Sequence, residues 1–284
     1  MPTSLPTLDL PTLSSPKESN QEFESQKPKM SYSPHILLLF FFTIIPMLSA
    51  EDYDAFVYAG CSQPRYSADS PYSYDVDSLL TSIANSAAST SYSSFTSSSA
   101  SALFQCRADL PASACALCIR TALSRLSFLC PYQSGAALQL AGCFLRYGND
   151  SFLGKPDTTL MYKKCGGGED EDADVIGMRD AAVGEVAAAE GAYRVGGAGQ
   201  VRAVAQCVGD VGEKGCGDCV AAAAAQVKVG CAYKAEGEVY LGKCYVRCWS
   251  DGGGDGVYSS YVGRGKWRLM LTGGGLILCW LFLL

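Results

Sequence analysis

Cysteine is the residue through which this chain could do chemistry: its 284 residues include 14. Cys106, Cys115, Cys118, Cys130 and Cys143 are spaced C-x8-C-x2-C-x11-C-x12-C, and Cys207, Cys216, Cys219, Cys231 and Cys244 repeat that spacing 101 residues later. Cys61 precedes the first five and Cys165 the second, which makes two sets of six and leaves Cys248 and Cys279 over. Such sets could be disulfide frameworks, zinc sites built on the C-x2-C pairs CALC and CGDC, or thioredoxin-like redox pairs. Imidazole chemistry is nearly closed off, because the one histidine is His35. With the leader that contains it removed, Ser-His-Asp and Cys-His catalysis, histidine bases and His-ligated metals are all excluded. No catalytic residue, metal site or cofactor is expected.

The redox compartment chooses among the three chemistries. Ile36 to Leu48 is a run of thirteen residues, almost wholly apolar, shorter than the ~20 residues of a bilayer span and of the length of a signal-peptide core. Small residues at Ser49 and Ala50 place a cut before Glu51. Residues 1–35 form a long leader rich in Pro, Ser and Thr, and Met30, just ahead of the apolar run, is an alternative start. Export favours disulfides over zinc, which suits reducing compartments, and over a redox pair, which needs an accessible low-pKa thiol. Six cysteines admit about fifteen pairings, and spacing does not choose among them.

At the other end, Leu269 to Leu284 is apolar or small, with Arg264, Lys266, Trp267 and Arg268 ahead of it. It reads either as a single-pass membrane segment with the N-terminal side outside, or as a glycolipid-anchor signal behind the Gly-rich stretch that starts at Gly252. Both make the membrane a partner, reached through this tail. Cys248 falls four residues after Cys244, on the same expected strand face. It is either a packed free thiol or the site of an intermolecular disulfide joining two ectodomains. Cys279 lies in the apolar tail.

Regular elements must position these cysteines. Asp75 to Ala88 brings Val76, Leu79, Leu80 and Ile83 to one helical face with Asp75 as candidate cap, and Asp174 to Ala189 answers it with Val175, Met178, Ala182 and Val186. A second helix is expected after each C-x2-C, over Cys115 to Phe128 and Cys216 to Val227. Strand-like stretches are Ala55 to Cys61, Ala137 to Tyr147, Val201 to Val208 and Glu238 to Trp249. Helices between strands without a βαβ rhythm predict an α+β fold with antiparallel sheets. The expected layout is an N-terminal extension and signal peptide over 1–50, cysteine-rich domains over 51–155 and 156–250, a Gly-rich linker over 251–268 and the membrane segment over 269–284. Gly166 to Asp174 reads as an acidic spacer, Ser86 to Ser101 as a loop or weak strand connection, and Asn149-Asp150-Ser151 as an N-glycosylation sequon. A hydrophobic fraction of 48% permits a sizeable core, and a net charge of −6 argues against nucleic acid as a partner.

The doubled C-x8-C-x2-C framework resembles the ginkbilobin-type cysteine-rich domain of land plants, also called the stress-antifungal or salt-stress-response domain. A signal segment, two such domains and one apolar span is similar to the layout of plasmodesmata-located proteins, type I membrane proteins of the channels between plant cells. The resemblance implies two helices packed on a five-stranded antiparallel sheet in each of two tandem disulfide-rich domains. It also implies the pairs Cys61–Cys130, Cys106–Cys115 and Cys118–Cys143, repeated as Cys165–Cys231, Cys207–Cys216 and Cys219–Cys244. The function it implies is non-enzymatic: regulation of cell-to-cell trafficking and callose at plasmodesmata, with an apoplastic ectodomain. Partners would be protein or cell-wall ligands, or homo- or hetero-oligomers of ectodomains. A secreted antifungal or carbohydrate-binding protein is the alternative, and a thiol–disulfide oxidoreductase using CALC or CGDC a third. Lectin-like relatives bind mannose through an Asn, an Arg and a Glu, at positions held here by Ser62, Ala137 and Gly148, then by Gly166, Glu238 and Trp249. Mannose binding by that route is therefore not expected. Nor is kinase activity, because no catalytic domain follows the apolar tail.

Overall fold

The computed structural model of the protein describes residues 53–166 and 172–251. The expected signal segment, most of the acidic spacer, Cys279 and the apolar tail lie outside the described residues.

Both repeats run strand, helix, two strands, helix, two strands. The first comprises β1 (Phe56–Cys61), α1 (Pro71–Ser86), β2 (Tyr92–Thr96), β3 (Ser101–Cys106), α2 (Ala112–Leu129), β4 (Gly135–Leu140) and β5 (Cys143–Gly148). The second comprises β6 (Leu160–Cys165), α3 (Ala173–Ala188), β7 (Tyr193–Ala198), β8 (Val201–Cys207), α4 (Glu213–Gly230), β9 (Gly237–Leu241) and β10 (Cys244–Ser250). Each sheet is five-stranded and antiparallel, ordered β1-β4-β5-β3-β2 and β6-β9-β10-β8-β7. This is the α+β architecture expected from the absence of a βαβ rhythm.

Several boundaries move from their expected places. Helix α1 starts at Pro71, not Asp75, because the Ser70 hydroxyl accepts the Ser73 N–H at 3.2 Å and Pro71 supplies a preset first-turn φ. Asp75 instead reaches the serine tract, where its carboxylate accepts from the Ser98 hydroxyl at 2.9 Å and the Ser99 hydroxyl at 2.6 Å. Those bonds, Ser99 foremost, hold its pKa below the ordinary Asp value. The tract is no plain loop: Tyr92–Thr96 is an edge strand paired with β3. Ala137 to Tyr147 and Glu238 to Trp249 each contain two strands, folded back at Ala141-Gly142 and at Gly242-Lys243.

Strand alternation sorts residues between two faces. On β3, Ala102, Phe104 and Cys106 join the core beneath α1 and α2, with Val76, Leu79, Ile83, Ile119, Ala122 and Leu126. The second core repeats this with Ala203, Ala205, Cys207, Val183, Val186, Val220, Ala223 and Val227. Leu103 on β3 and Phe144 on β5 point away from the helices, and there they meet Tyr240 and Val208 of the other repeat. The helix-free faces of the two sheets therefore form a shared apolar seam.

Disulfides fasten the second helix of each repeat to its sheet. Cys61–Cys130 ties β1 to the end of α2, Cys106–Cys115 ties β3 to its start, and Cys118–Cys143 ties its middle to β5. Cys165–Cys231, Cys207–Cys216 and Cys219–Cys244 do the same for α4. Each crosslink contributes about 2–4 kcal/mol by restricting the unfolded chain.

Candidate functional site

The chemistry of the twelve paired sulfurs is structural. In CALC, Cys115 bonds outward to Cys106 and Cys118 to Cys143; in CGDC, Cys216 bonds to Cys207 and Cys219 to Cys244. A redox C-x2-C pair closes on itself, so this outward pairing contradicts the oxidoreductase reading. Among the described residues, no three His, Cys, Asp or Glu side chains gather as a metal-binding group. Cys248 lies on β10 with 2% of its surface exposed, its thiol 3.5 Å from the Ala235 carbonyl oxygen. Burial pushes that thiol up to about 12. The fold thus packs this thiol inside the second repeat rather than presenting it at the surface.

What the fold builds outside its cores is a seam and a cleft. Gln105 at the end of β3 and Gln206 at the end of β8 cross the seam. The Gly209 N–H donates to the Gln105 side-chain oxygen at 3.0 Å, and the Ala108 N–H donates to that of Gln206 at 3.3 Å. The Gln206 amide also donates to the Cys106 carbonyl at 3.0 Å. Gly209 has to be glycine, since a Cβ there would fall 2.8 Å from the Tyr92 ring. The linker after β5 supplies a plug: Phe152 is buried, with the Arg146 guanidinium 4.3 Å from its ring centre and the Lys243 ammonium at 5.5 Å. Lys243 is itself buried and ion-paired with Asp210, whose carboxylate also accepts the Gly154 N–H at 2.9 Å. Charges from both repeats thus grip one linker ring.

The seam contains a small pocket of ≈ 30 Å³ lined by Gln105, Gln139, Gln206 and Tyr245, room for a water or two. Ligand access falls instead to an open cleft of ≈ 470 Å³ at the seam's edge. One wall is Tyr58, Ser62, Gly135, Ala137 and Arg146 of the first repeat; the other is Asp157, Thr159, Met161 and Gly242. Arg146 is fixed by Asp150 at 2.7 Å and Asp157 at 3.7 Å. The Tyr58 phenol, pushed above its ordinary pKa chiefly by burial, remains a neutral donor.

Ser62 and Ala137, two of the positions that hold sugar-binding residues in lectin-like relatives, do line this cleft. The Ser62 hydroxyl is committed to the fold, accepting the Gly135 N–H at 2.8 Å. No cation stands at Ala137, but its register partner across the strand pair is Arg146. That guanidinium escaped sequence reasoning because only strand register brings it there. In the second repeat, Glu238 lies 3.3 Å from Arg247 and Trp249 is buried, so both are taken up by packing. Asn149 is exposed on the rim of the cleft. Elsewhere, Phe56, Phe128 and Leu129 form an exposed apolar ledge beside Arg125, with Phe128 84% exposed.

A family model described as salt stress response/antifungal matches residues 60–150 and 180–251. Plasmodesmata-located protein 7 of Arabidopsis thaliana is 44% identical over 227 residues, 76% of this chain and 76% of that protein. Plasmodesmata-located protein 6 of the same plant is 41% identical over 239 residues, covering 81% and 83%. The crystal structure of the tandem DUF26 ectodomain of the Arabidopsis cysteine-rich receptor-like protein PDLP8 superposes with a TM-score of 0.68 at 40% identity, over 70% of this chain and 100% of that one. The PDLP5 ectodomain gives 0.65 at 36% identity, over 69% and 99%.

Proposed function

This chain belongs to the salt stress response/antifungal family, and on that premise we propose that it is a non-enzymatic, membrane-anchored extracellular protein of the plasmodesmata-located kind. The observation that carries the reading is coverage of an entire tandem ectodomain: all of the solved PDLP8 chain has its counterpart here, at 40% identity. A family likeness confined to one repeat would have fitted a secreted single-domain protein equally well.

The chemistry supports a binding rather than a catalytic role. Twelve sulfurs are locked in crosslinks, and the one free thiol among the described residues is buried. Recognition then falls to exposed surfaces such as the apolar ledge around Phe128, which would meet protein or cell-wall ligands. The apolar stretch Leu269 to Leu284 would hold the ectodomain against the plasma membrane. At plasmodesmata, such a tether would modulate cell-to-cell trafficking through callose and channel permeability.

Movement of a small fluorescent dye between neighbouring cells tests this. Plants with altered levels of the protein should show altered dye spread and callose staining. Unchanged spread in both loss and overexpression would contradict the reading.

A further inference from the structure

We infer that Asn149 carries an N-linked glycan whose first sugars lie in the cleft between the repeats, so that the protein occupies its own groove. The chain has three asparagines, Asn20, Asn85 and Asn149, and only Asn149 has Ser or Thr two residues on, Ser151. Both Asn149 and Ser151 are exposed where the chain leaves β5, as modification during export requires. Placement adds what the sequon alone does not. Asn149 is one of the residues lining the cleft, so a sugar joined to its side chain starts at the mouth rather than on open surface.

The covalent step needs only the lipid-diphosphate-linked oligosaccharide of the export pathway. The Asn149 Nδ2 loses one proton and bonds to C1 of the first N-acetylglucosamine. The bond from that carbon to the diphosphate breaks, the lipid diphosphate leaves, and the amide proton passes to solvent. Nothing is oxidised or reduced.

The groove suits such an occupant. Its volume of ≈ 470 Å³ lies within the range of about 300–1,000 Å³ typical of small-ligand sites. Gly60 leaves backbone bare along one wall, where a pyranose ring can approach closely. Arg146, Asp150 and Asp157 are held by one another at fixed angles, offering planar donors and acceptors to hydroxyl groups. Asp157, Thr159, Met161 and Gly242 lie across the linker and the second repeat, so the sugars would touch both halves of the molecule. Tethering keeps the local sugar concentration high, so individually weak contacts suffice. A soluble carbohydrate would then be excluded while the glycan is present.

The test uses full-length protein from plant cells. Glycopeptide mass spectrometry should find Asn149 modified. Native hydrogen exchange of wild type is then compared with Asn149→Gln and with Ser151→Ala, which keeps the asparagine. Peptides covering Tyr58 to Pro64 and Ser134 to Ala137 should exchange several-fold faster without the glycan, and those of α3 and α4 should not change. Enzymatic release of the glycan from already folded protein gives the same comparison if either variant fails to fold. An unmodified Asn149, or cleft peptides that exchange identically with and without the glycan, overturns the inference.

Discussion

Gln105 and Gln206 stand 101 residues apart and perform the same task in opposite directions. Each side-chain oxygen accepts the backbone N–H three residues beyond the other glutamine, from Gly209 to Gln105 and from Ala108 to Gln206. Residue i meeting j while j's counterpart meets i's is the mark of an isologous contact, here built inside one chain. The tandem repeat is therefore a pseudo-symmetric pair joined by a specific seam, not two beads on a string.

Burial ranks the two glutamines. Gln206 is buried and also serves the Cys106 carbonyl and the Tyr245 hydroxyl, so Gln206→Ala strands several polar groups. It should cost about 1–3 kcal/mol, and Gln105→Ala, at a half-exposed site, about 0.5–1.5 kcal/mol. Urea unfolding measures both, and an equal or reversed ranking would contradict the reciprocal seam as described.

Phe152 should be the seam's most sensitive apolar residue. Phe152→Ala removes a buried ring between Arg146 and Lys243 and should cost about 3–5 kcal/mol. Because the ring joins the repeats, calorimetry should show the single unfolding transition broadening or splitting. A stability loss below about 1 kcal/mol, well under the usual penalty for such a deletion, would show that the plug does not hold the repeats together.

Cys248 should resist alkylation. Burial raises its thiol to about 12, with the nearby Arg179 guanidinium opposing in part. Iodoacetamide at pH 8 should leave it unlabelled in native protein and label it rapidly once unfolded. Non-reducing electrophoresis should show the same monomer band for wild type and Cys248→Ser. Rapid native labelling or a Cys248-dependent dimer would reverse the placement.

Alkali should unfold the protein through its buried acids. Burial raises the pKa of the Tyr58, Tyr147 and Tyr245 phenols above their ordinary value of 10.0, as it does for the Cys248 thiol. The folded state thus favours the protonated forms, and their contribution is fully present below the unfolded pKa values and lost as pH rises past them. Urea midpoints should fall as pH rises from 9 to 11, from the ordinary thiol value through that of the phenols. Tyr58→Phe should flatten the slope. A midpoint constant over that interval would contradict the burial of these groups.

The sulfur framework was legible because both repeats need cysteines at the same points along α2, β5, α4 and β10, and no other residue can replace them. The same shift carries Gln105 to Gln206, visible as FQC and AQC, but only the folded sheets reveal that these glutamines face each other. Helix α1 reads from its sequence as starting at Asp75, and local sequence does not say that Ser70 caps it while Asp75 is drawn to Ser98 and Ser99. The turns at Ala141-Gly142 and Gly242-Lys243 carry one glycine each but no Asn-Gly, Asp-Gly or Pro signal, so two strands read as one. The cleft was illegible altogether, since its walls come from separate repeats and Arg146 reaches it through the register with Ala137.

Imaging the full-length protein in plant tissue, with a fluorescent tag inserted after Glu51 so that both termini stay native, tests the central claim most directly. The account predicts discrete puncta across the walls shared by adjacent cells. Diffuse apoplastic or cytosolic fluorescence would contradict it.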